Sequence, residues 1–234
     1  ARLGGPFVDA TPGCLLRHLS LKSLRQIAPK ATVQELGKEF EKAAPVLAGT
    51  TLVAQVSLLH SYESRWAINW QRHNQHYDPI EAIKSFYAPL KHQAGNVDIA
   101  SPDTDFTHYK LVIAPALNLL TETQATRLIA YVQNGGHLVL GQRSAMKNGE
   151  NGLERQPGPF HELLGGQVLQ FYALADPVPV KGTWGSGESR LCAEQLKVEG
   201  SDTDVLLRYR RSNGWLDDQP AAVTRVAGKG KLHI

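Results

Sequence analysis

Apolar and polar residues recur along this chain with two different periods, and the switches between them mark its elements. Leu111–Ala114 is a short apolar run rich in β-branched residues, and His137–Leu140 is a second. Between them Ala125, Leu128, Ile129 and Val132 fall at i, i+3, i+4 and i+7, the spacing of one helix face. Thr121 fits the N-cap, accepting from the free N–H groups of the first turn, and Gln124 completes a capping box. Gly135 and Gly136 stop the helix where a positive φ is usual. Strand, helix and strand in this order predict a βαβ unit with a right-handed crossover, the nucleus of a doubly wound α/β domain with a mainly parallel sheet.

The same reading extends in both directions. A helix is expected over residues 32–47, with Thr32 and Glu35 as a capping box, Val33, Leu36, Phe40, Ala43 and Leu47 on one stripe, and Pro45 and Gly49 near its end. Residues 52–60 read as the first strand. A further helix starts at Pro79 with Ile80, Ile83, Tyr87 and Leu90 on one face and stops at Gly95; Pro89 should kink or shorten it. Val97–Ala100 is the next strand, and Val56, Leu58, Leu111, Ile113, Leu138 and Leu140 are expected buried strand positions. Past Ser144 a polar surface loop at 147–159 and a helical turn at 160–164 lead into strand-like segments at 168–174, 195–198, 205–209, 221–226 and 231 onward. These should extend the sheet with antiparallel strands, Gly228-Lys229-Gly230 forming a hairpin turn. Gly182, Gly185 and Gly187 follow no parallel strand and precede no helix, so they read as a surface loop and not as a phosphate cradle. Gly4, Gly5, Pro6, Pro12, Gly13 and Pro29 confine any element of the first 31 residues to about 15–27.

Composition narrows the class. The chain has 234 residues, 42% of them hydrophobic and 20% charged, enough to build a core. Its formal charge of +3 is scattered, which gives no nucleic-acid footprint. No apolar run approaches membrane-spanning length and residues 1–30 lack a signal-peptide core, so a soluble chain is expected. Cys14 and Cys192 read as free thiols. His73 and His76 have no third ligand at usable spacing, so no metal site is expected. A start without Met, and a strand under way at the last residues, point to a piece of a longer protein.

The most chemically loaded stretch is Tyr62-Glu63-Ser64-Arg65-Trp66, with Trp70 a turn further on. It stands at the carboxyl end of the first strand, where open α/β sheets meet ligands or partners. In one reading Glu63 and Arg65 orient a loop while Trp66 and Trp70 pack on a helix face. In the other the stretch is an interface, because Trp, Tyr and Arg are the usual anchors of one.

Extended to Ala67, this stretch resembles the start of the trimerisation domain of glycoside hydrolase family 42 β-galactosidases. Phe86-Tyr87, Val97-Asp98-Ile99, Tyr109 to Leu117, Gly135 to Gly141, and Pro157-Gly158-Pro159-Phe160 leading to Leu163-Leu164-Gly165 fit the same pattern in order. The resemblance implies a class I glutamine amidotransferase-like (flavodoxin-like) domain that follows a catalytic (β/α)₈ barrel. Residues 1–50 would then be an N-terminal segment and a remnant of the last barrel helix, and residues 51–234 the trimerisation domain. It further implies a cytoplasmic, bacterial parent enzyme that hydrolyses terminal non-reducing β-D-galactosides with retention, without a cofactor, as a homotrimer. Tyr62, Glu63, Arg65, Trp66 and Trp70 would border the cleft or contact a barrel, and no membrane or nucleic-acid partner is implied.

The family's catalytic glutamates lie on barrel strands outside this chain, so the chain alone is expected to be inactive. A glycosidase needs two carboxyl groups about 5 to 9.5 Å apart, and Glu63 is the only carboxylate placed at a strand end beside aromatic rings. The competing class is a stand-alone amidotransferase-like hydrolase or a small-ligand module. Against a hydrolase stands the turn Gly141-Gln142-Arg143-Ser144, which has no Cys nucleophile and lacks the flanking glycines of a serine elbow.

Overall fold

The computed structural model describes residues 30–155, 157–211 and 214–234. The element and the thiol considered within the first 29 residues, Cys14 included, lie outside them. Internal contacts divide the chain into Ala1–Leu52 and Val53–Ile234. In the first unit helix α1 spans Lys30–Leu47. Thr32 lies inside this helix and is not its cap, because the helix is already under way at Lys30. Leu36, Phe40 and Leu47, the larger members of the expected stripe, are exposed. At the far end Thr50 closes the helix by donating from Oγ1 and N to the Leu47 carbonyl at 2.8 and 3.0 Å.

The second unit is built on a nine-stranded sheet. Its elements are β1 (Val56–Leu59), α2 (Tyr62–Trp70), α3 (Pro79–Ala94), β2 (Val97–Ala100), β3 (Leu111–Ala114), α4 (Glu122–Gln133), β4 (His137–Leu140), α5 (His161–Leu164), β5 (Gly166–Ala173), β6 (Val178–Gly182), β7 (Gly185–Ser189), β8 (Cys192–Val198), β9 (Thr203–Tyr209), β10 (Pro220–Ala227) and β11 (Gly230–His233). The sheet order is β2-β1-β3-β4-β11-β10-β9-β6-β7. The run from β2 to β11 is parallel, and from β11 to β7 each neighbour is antiparallel.

The two faces are covered by different helices, because strand side chains alternate. Leu58 and Ile113 meet Ile83 of α3, with Ile80, Phe86, Tyr87 and Leu90 around them. On the opposite face Val112, Ala114, Leu138 and Leu232 pack against Ala125, Leu128 and Val132 of α4. Of the expected buried strand positions, Val56, Leu58, Ile113, Leu138 and Leu140 are buried, while Leu111 is half-buried. The capping box of α4 is complete: Gln124 N donates to Thr121 Oγ1 at 3.2 Å and Thr121 N to Gln124 Oε1 at 3.1 Å. Asp78 caps α3 through Ile80 N at 2.8 Å, Pro79 opens it, and the helix runs past Pro89 to Ala94.

Four expectations are corrected. Strand β1 begins at Val56 and not at residue 52, because its neighbours β2 and β3 offer partners only from there; Leu52 and Val53 are exposed. The glycines at 182, 185 and 187 belong to the β6–β7 hairpin, where pairing of the two strands with each other, and of β6 with β9, overrides their poor strand propensity. Strands β5 and β8 form their own two-stranded sheet and do not extend the main one. The last strand, β11, returns as a parallel neighbour of β4. Its hairpin needs glycine at 228, where φ is +62° and a Cβ would stand 2.6 Å from the Gln133 carbonyl oxygen.

Candidate functional site

Two groups of polar and aromatic residues stand at the carboxyl ends of the parallel strands. The first is α2, after β1. Ser61 caps it, accepting from Ser64 N at 3.0 Å and donating to Glu63 Oε2 at 2.9 Å. The Ser64 hydroxyl locks the helix to the segment after β3, donating to Leu119 O at 3.1 Å and accepting from Leu119 N at 2.9 Å. Ala67 and Ile68 are buried beneath it.

This anchoring decides where the sequence-predicted residues point. Tyr62, Trp66 and Trp70, at i, i+4 and i+8, form an aromatic stripe that is exposed, Trp66 at 62% and Trp70 at 90%. Tyr62 and Trp66 touch, with ring centroids 5.9 Å apart. Glu63 is exposed beside them and Arg65 is half-buried on the flank. A residue the sequence reading passed over, His60, stands behind Tyr62 with rings edge to face at 4.8 Å. Burial lowers its pKa first, Arg65 lowers it further, and Glu63 partly offsets both. Its position at the last ladder bond of β1, where its N–H donates to Ala100 O at 2.9 Å, was the available signal.

The second group is the turn after β4. Gly141 permits it, since a Cβ there would lie 2.3 Å from the Pro115 carbonyl oxygen. Arg143 follows with φ +65° and is 1% exposed. Its guanidinium has no hydrogen-bond partner among the described residues. It lies instead against two rings, 5.3 Å from the Phe171 centroid and 5.9 Å from that of Tyr77. Its backbone N donates to Glu194 Oε1 at 2.6 Å. Tyr209 fixes Glu194 in turn, its hydroxyl accepting from Glu194 N and donating to Glu194 O, both at 3.1 Å.

Burial raises the Glu194 carboxyl to about 7 against the lowering effect of its bond to Arg143 N and of the Arg143 charge. Burial likewise pushes the Cys192 thiol up to about 11, so this free cysteine is no nucleophile at neutral pH. The Ser144 hydroxyl donates to Gly141 O at 2.7 Å. His73 lies edge-on to Phe171 at 5.2 Å, and His76 lies beside Gln75. No three His, Cys, Asp or Glu side chains come together to hold a metal among the described residues.

Fold and site together define an α/β domain with helices on both faces of a large mixed sheet, an exposed aromatic helix after β1 and a turn after β4 that holds a buried arginine. The family model described as the beta-galactosidase trimerisation domain matches residues 54–233, and the chain belongs to that family. Beta-galactosidase Bga of Halorubrum lacusprofundi is 35% identical over 203 residues, covering 76% of this chain and 27% of that protein. Beta-galactosidase BglY of Alicyclobacillus acidocaldarius is 30% identical over 217 residues, covering 86% and 30%. The solved structure of the Halorubrum lacusprofundi beta-galactosidase superposes with a TM-score of 0.76 at 30% identity, over 88% of this chain and 31% of that one. The chain thus spans less than a third of the length of the relatives it matches, the share expected of a non-catalytic assembly domain in a larger enzyme.

Proposed function

We propose that this domain assembles a family 42 β-galactosidase into a homotrimer, and that the parent enzyme hydrolyses terminal β-D-galactosides with retention in the cytoplasm. The match of residues 54–233 to the trimerisation family carries the reading. In it α1 is the last helix of the catalytic barrel, which accounts for its exposed Leu36, Phe40 and Leu47, and residues 51–234 form the trimerisation domain. Tyr62, Glu63, Arg65, Trp66 and Trp70 face a barrel, its own or a neighbour's. The strand order β2-β1-β3-β4-β11 supports the flavodoxin-like, amidotransferase-like type, since it repeats the 2-1-3-4-5 order of that doubly wound class. A stand-alone amidotransferase is disfavoured by Arg143 at the turn where such enzymes place Cys.

The test has two arms. Purified chain incubated with an activated aryl β-galactoside should release nothing above buffer, because no barrel supplies the carboxyl pair. Joined to a catalytic barrel of the family, the chain should sediment as a trimer. Turnover by the isolated chain that disappears on Glu63→Gln would overturn the first part, and a monomeric barrel fusion the second.

A further inference from the structure

The main sheet ends on one side at β7, and the outer edge of that strand is open. Gly185, Ser186, Gly187 and Glu188 are exposed, and among the described residues β7 pairs with β6 alone. Which of its backbone groups are used follows from one bond. Arg210 N donates to Pro179 O at 2.7 Å, so residues 179 and 181 of β6 turn their backbone groups toward β9, where Lys181 stands opposite Arg208. Successive residues of a strand address opposite neighbours, and Val178, Val180 and Gly182 therefore bond β7 through Ser189, Gly187 and Gly185. Ser186 and Glu188 are left with N–H and C=O pointing away from the sheet. Neither backbone has another partner among the described residues.

Edge strands are usually blunted by proline, lysine or a bulge. β7 carries none of these, and its register with β6 runs without a shift. The sequence of the edge fits a second copy of itself. In an antiparallel pair turned about Gly187, Ser186 stands opposite Glu188 of the second copy and Glu188 opposite Ser186 of the second copy, the residues whose donors and acceptors are free. Each such pair exchanges two N–H···O bonds, and the two glycines fall at the non-bonded position, where Cα atoms approach to about 4.5 Å. Residues directly opposite share a face, so Lys181, Ser186, Glu188 of the second copy and Pro179 of the second copy form one row across four strands. Lys181 has no ion pair among the described residues. Over the short Ser186 side chain it can reach the second copy's Glu188 carboxylate, whose backbone lies two strand spacings or roughly 9.6 Å away. The two-fold axis makes that contact twice. In the single chain Glu188 meets only its own Arg190, at 3.5 Å and well exposed.

We propose that β7 is a self-association edge: two copies of this chain pair β7 with β7, antiparallel about a two-fold axis at Gly187, and continue one sheet through both. A two-fold contact joins copies in pairs and cannot close a ring of three. It is therefore separate from the trimer proposed above and does not rest on it.

The test is sedimentation velocity of the 234-residue chain over a wide range of concentration, with amide hydrogen exchange read by NMR on the same samples. A monomer–dimer equilibrium is expected, in which the Ser186 and Glu188 amides become protected as concentration rises while the Gly187 amide is protected throughout. Ser186→Pro removes an outward N–H that β6 does not use, so it should abolish association and leave the fold intact. Lys181→Glu and Glu188→Lys each set like charges across the axis and should each weaken association about tenfold. Mixed in equal amounts, these two variants should associate again, because every facing pair is then of opposite sign. A chain that stays monomeric at every concentration, association that survives Ser186→Pro as contact through the Trp66 stripe would, or charge variants that fail to recover on mixing would each overturn the proposal.

Discussion

Helix α2 and the turn after β4 leave the same end of the parallel sheet and use their aromatic and charged residues in opposite ways. Around α2 the rings of Tyr62, Trp66 and Trp70 face outward, and the only groups drawn in are Ser64, Ala67 and Ile68. At the turn the rings of Tyr77 and Phe171 face inward and enclose a charge. An exposed aromatic stripe has the composition of a contact surface, which the assembly proposed above would complete. A buried guanidinium between rings instead lies inside the domain, where contact with both rings offsets part of the desolvation cost of a charge that has no hydrogen-bond partner among the described residues. The first region therefore carries little of the stability of the domain, and the second carries much of it.

The largest effect should come from Arg143→Ala. The substitution empties the space between the Tyr77 and Phe171 rings and removes a positive charge that favours the ionised form of buried Glu194, and the packing loss alone costs about 2 to 5 kcal/mol. Urea denaturation at pH 8, where Glu194 is ionised, should read that loss. At pH 5 the same substitution should cost less, because the carboxyl is then protonated and has no charge to strand. A loss below about 0.5 kcal/mol at pH 8 would place Arg143 among substitutions without structural consequence.

Glu194 itself sets the next effect. Its folded pKa is raised to about 7 from the ordinary 4.5, so between these values the folded state holds a proton that the unfolded state has released. Stability contributed by this group is then fully present below about pH 4.5 and is lost as pH rises to 7. At about 1.4 kcal/mol per pKa unit the change is roughly 3 kcal/mol. Glu194→Gln should flatten the pH dependence in that window, measured as urea midpoints at pH 4.5 and 7.5. A slope that survives the substitution would assign the titration to another group.

How much of this contrast could be read in the chain follows from how local each feature is. The Thr121 and Gln124 box, the Asp78 and Pro79 start of α3, and the apolar runs at Leu111–Ala114 and His137–Leu140 are written within a few residues, and they appear where expected. The five residues chosen for the site fall on or beside one helix, because the spacing of Tyr62, Trp66 and Trp70 already encodes a face. What escaped is what distant segments decide. The β6–β7 hairpin takes its pairing from β9. The burial of Arg143 depends on Tyr77 and Phe171, far away on either side in sequence, and the turn that carries it on the close approach of Gly141 to Pro115. Nothing near residue 143 announces either.

The smallest effect on stability, and the sharpest test of the contrast, belongs to Trp66→Ser with Trp70→Ser. Both side chains are exposed, and surface changes away from caps and buried networks alter stability by no more than about 0.5 kcal/mol. Far-UV circular dichroism and the urea midpoint should therefore stay where they are. Association should not: Trp side chains set in a stripe are typical interface anchors, and losing two of them removes contact area that water cannot replace. Sedimentation velocity of the barrel-bearing protein should shift toward smaller species, with the isolated domain still folded. If the pair instead lowers stability by several kcal/mol, the stripe belongs to the fold of the domain, as the Arg143 cluster does.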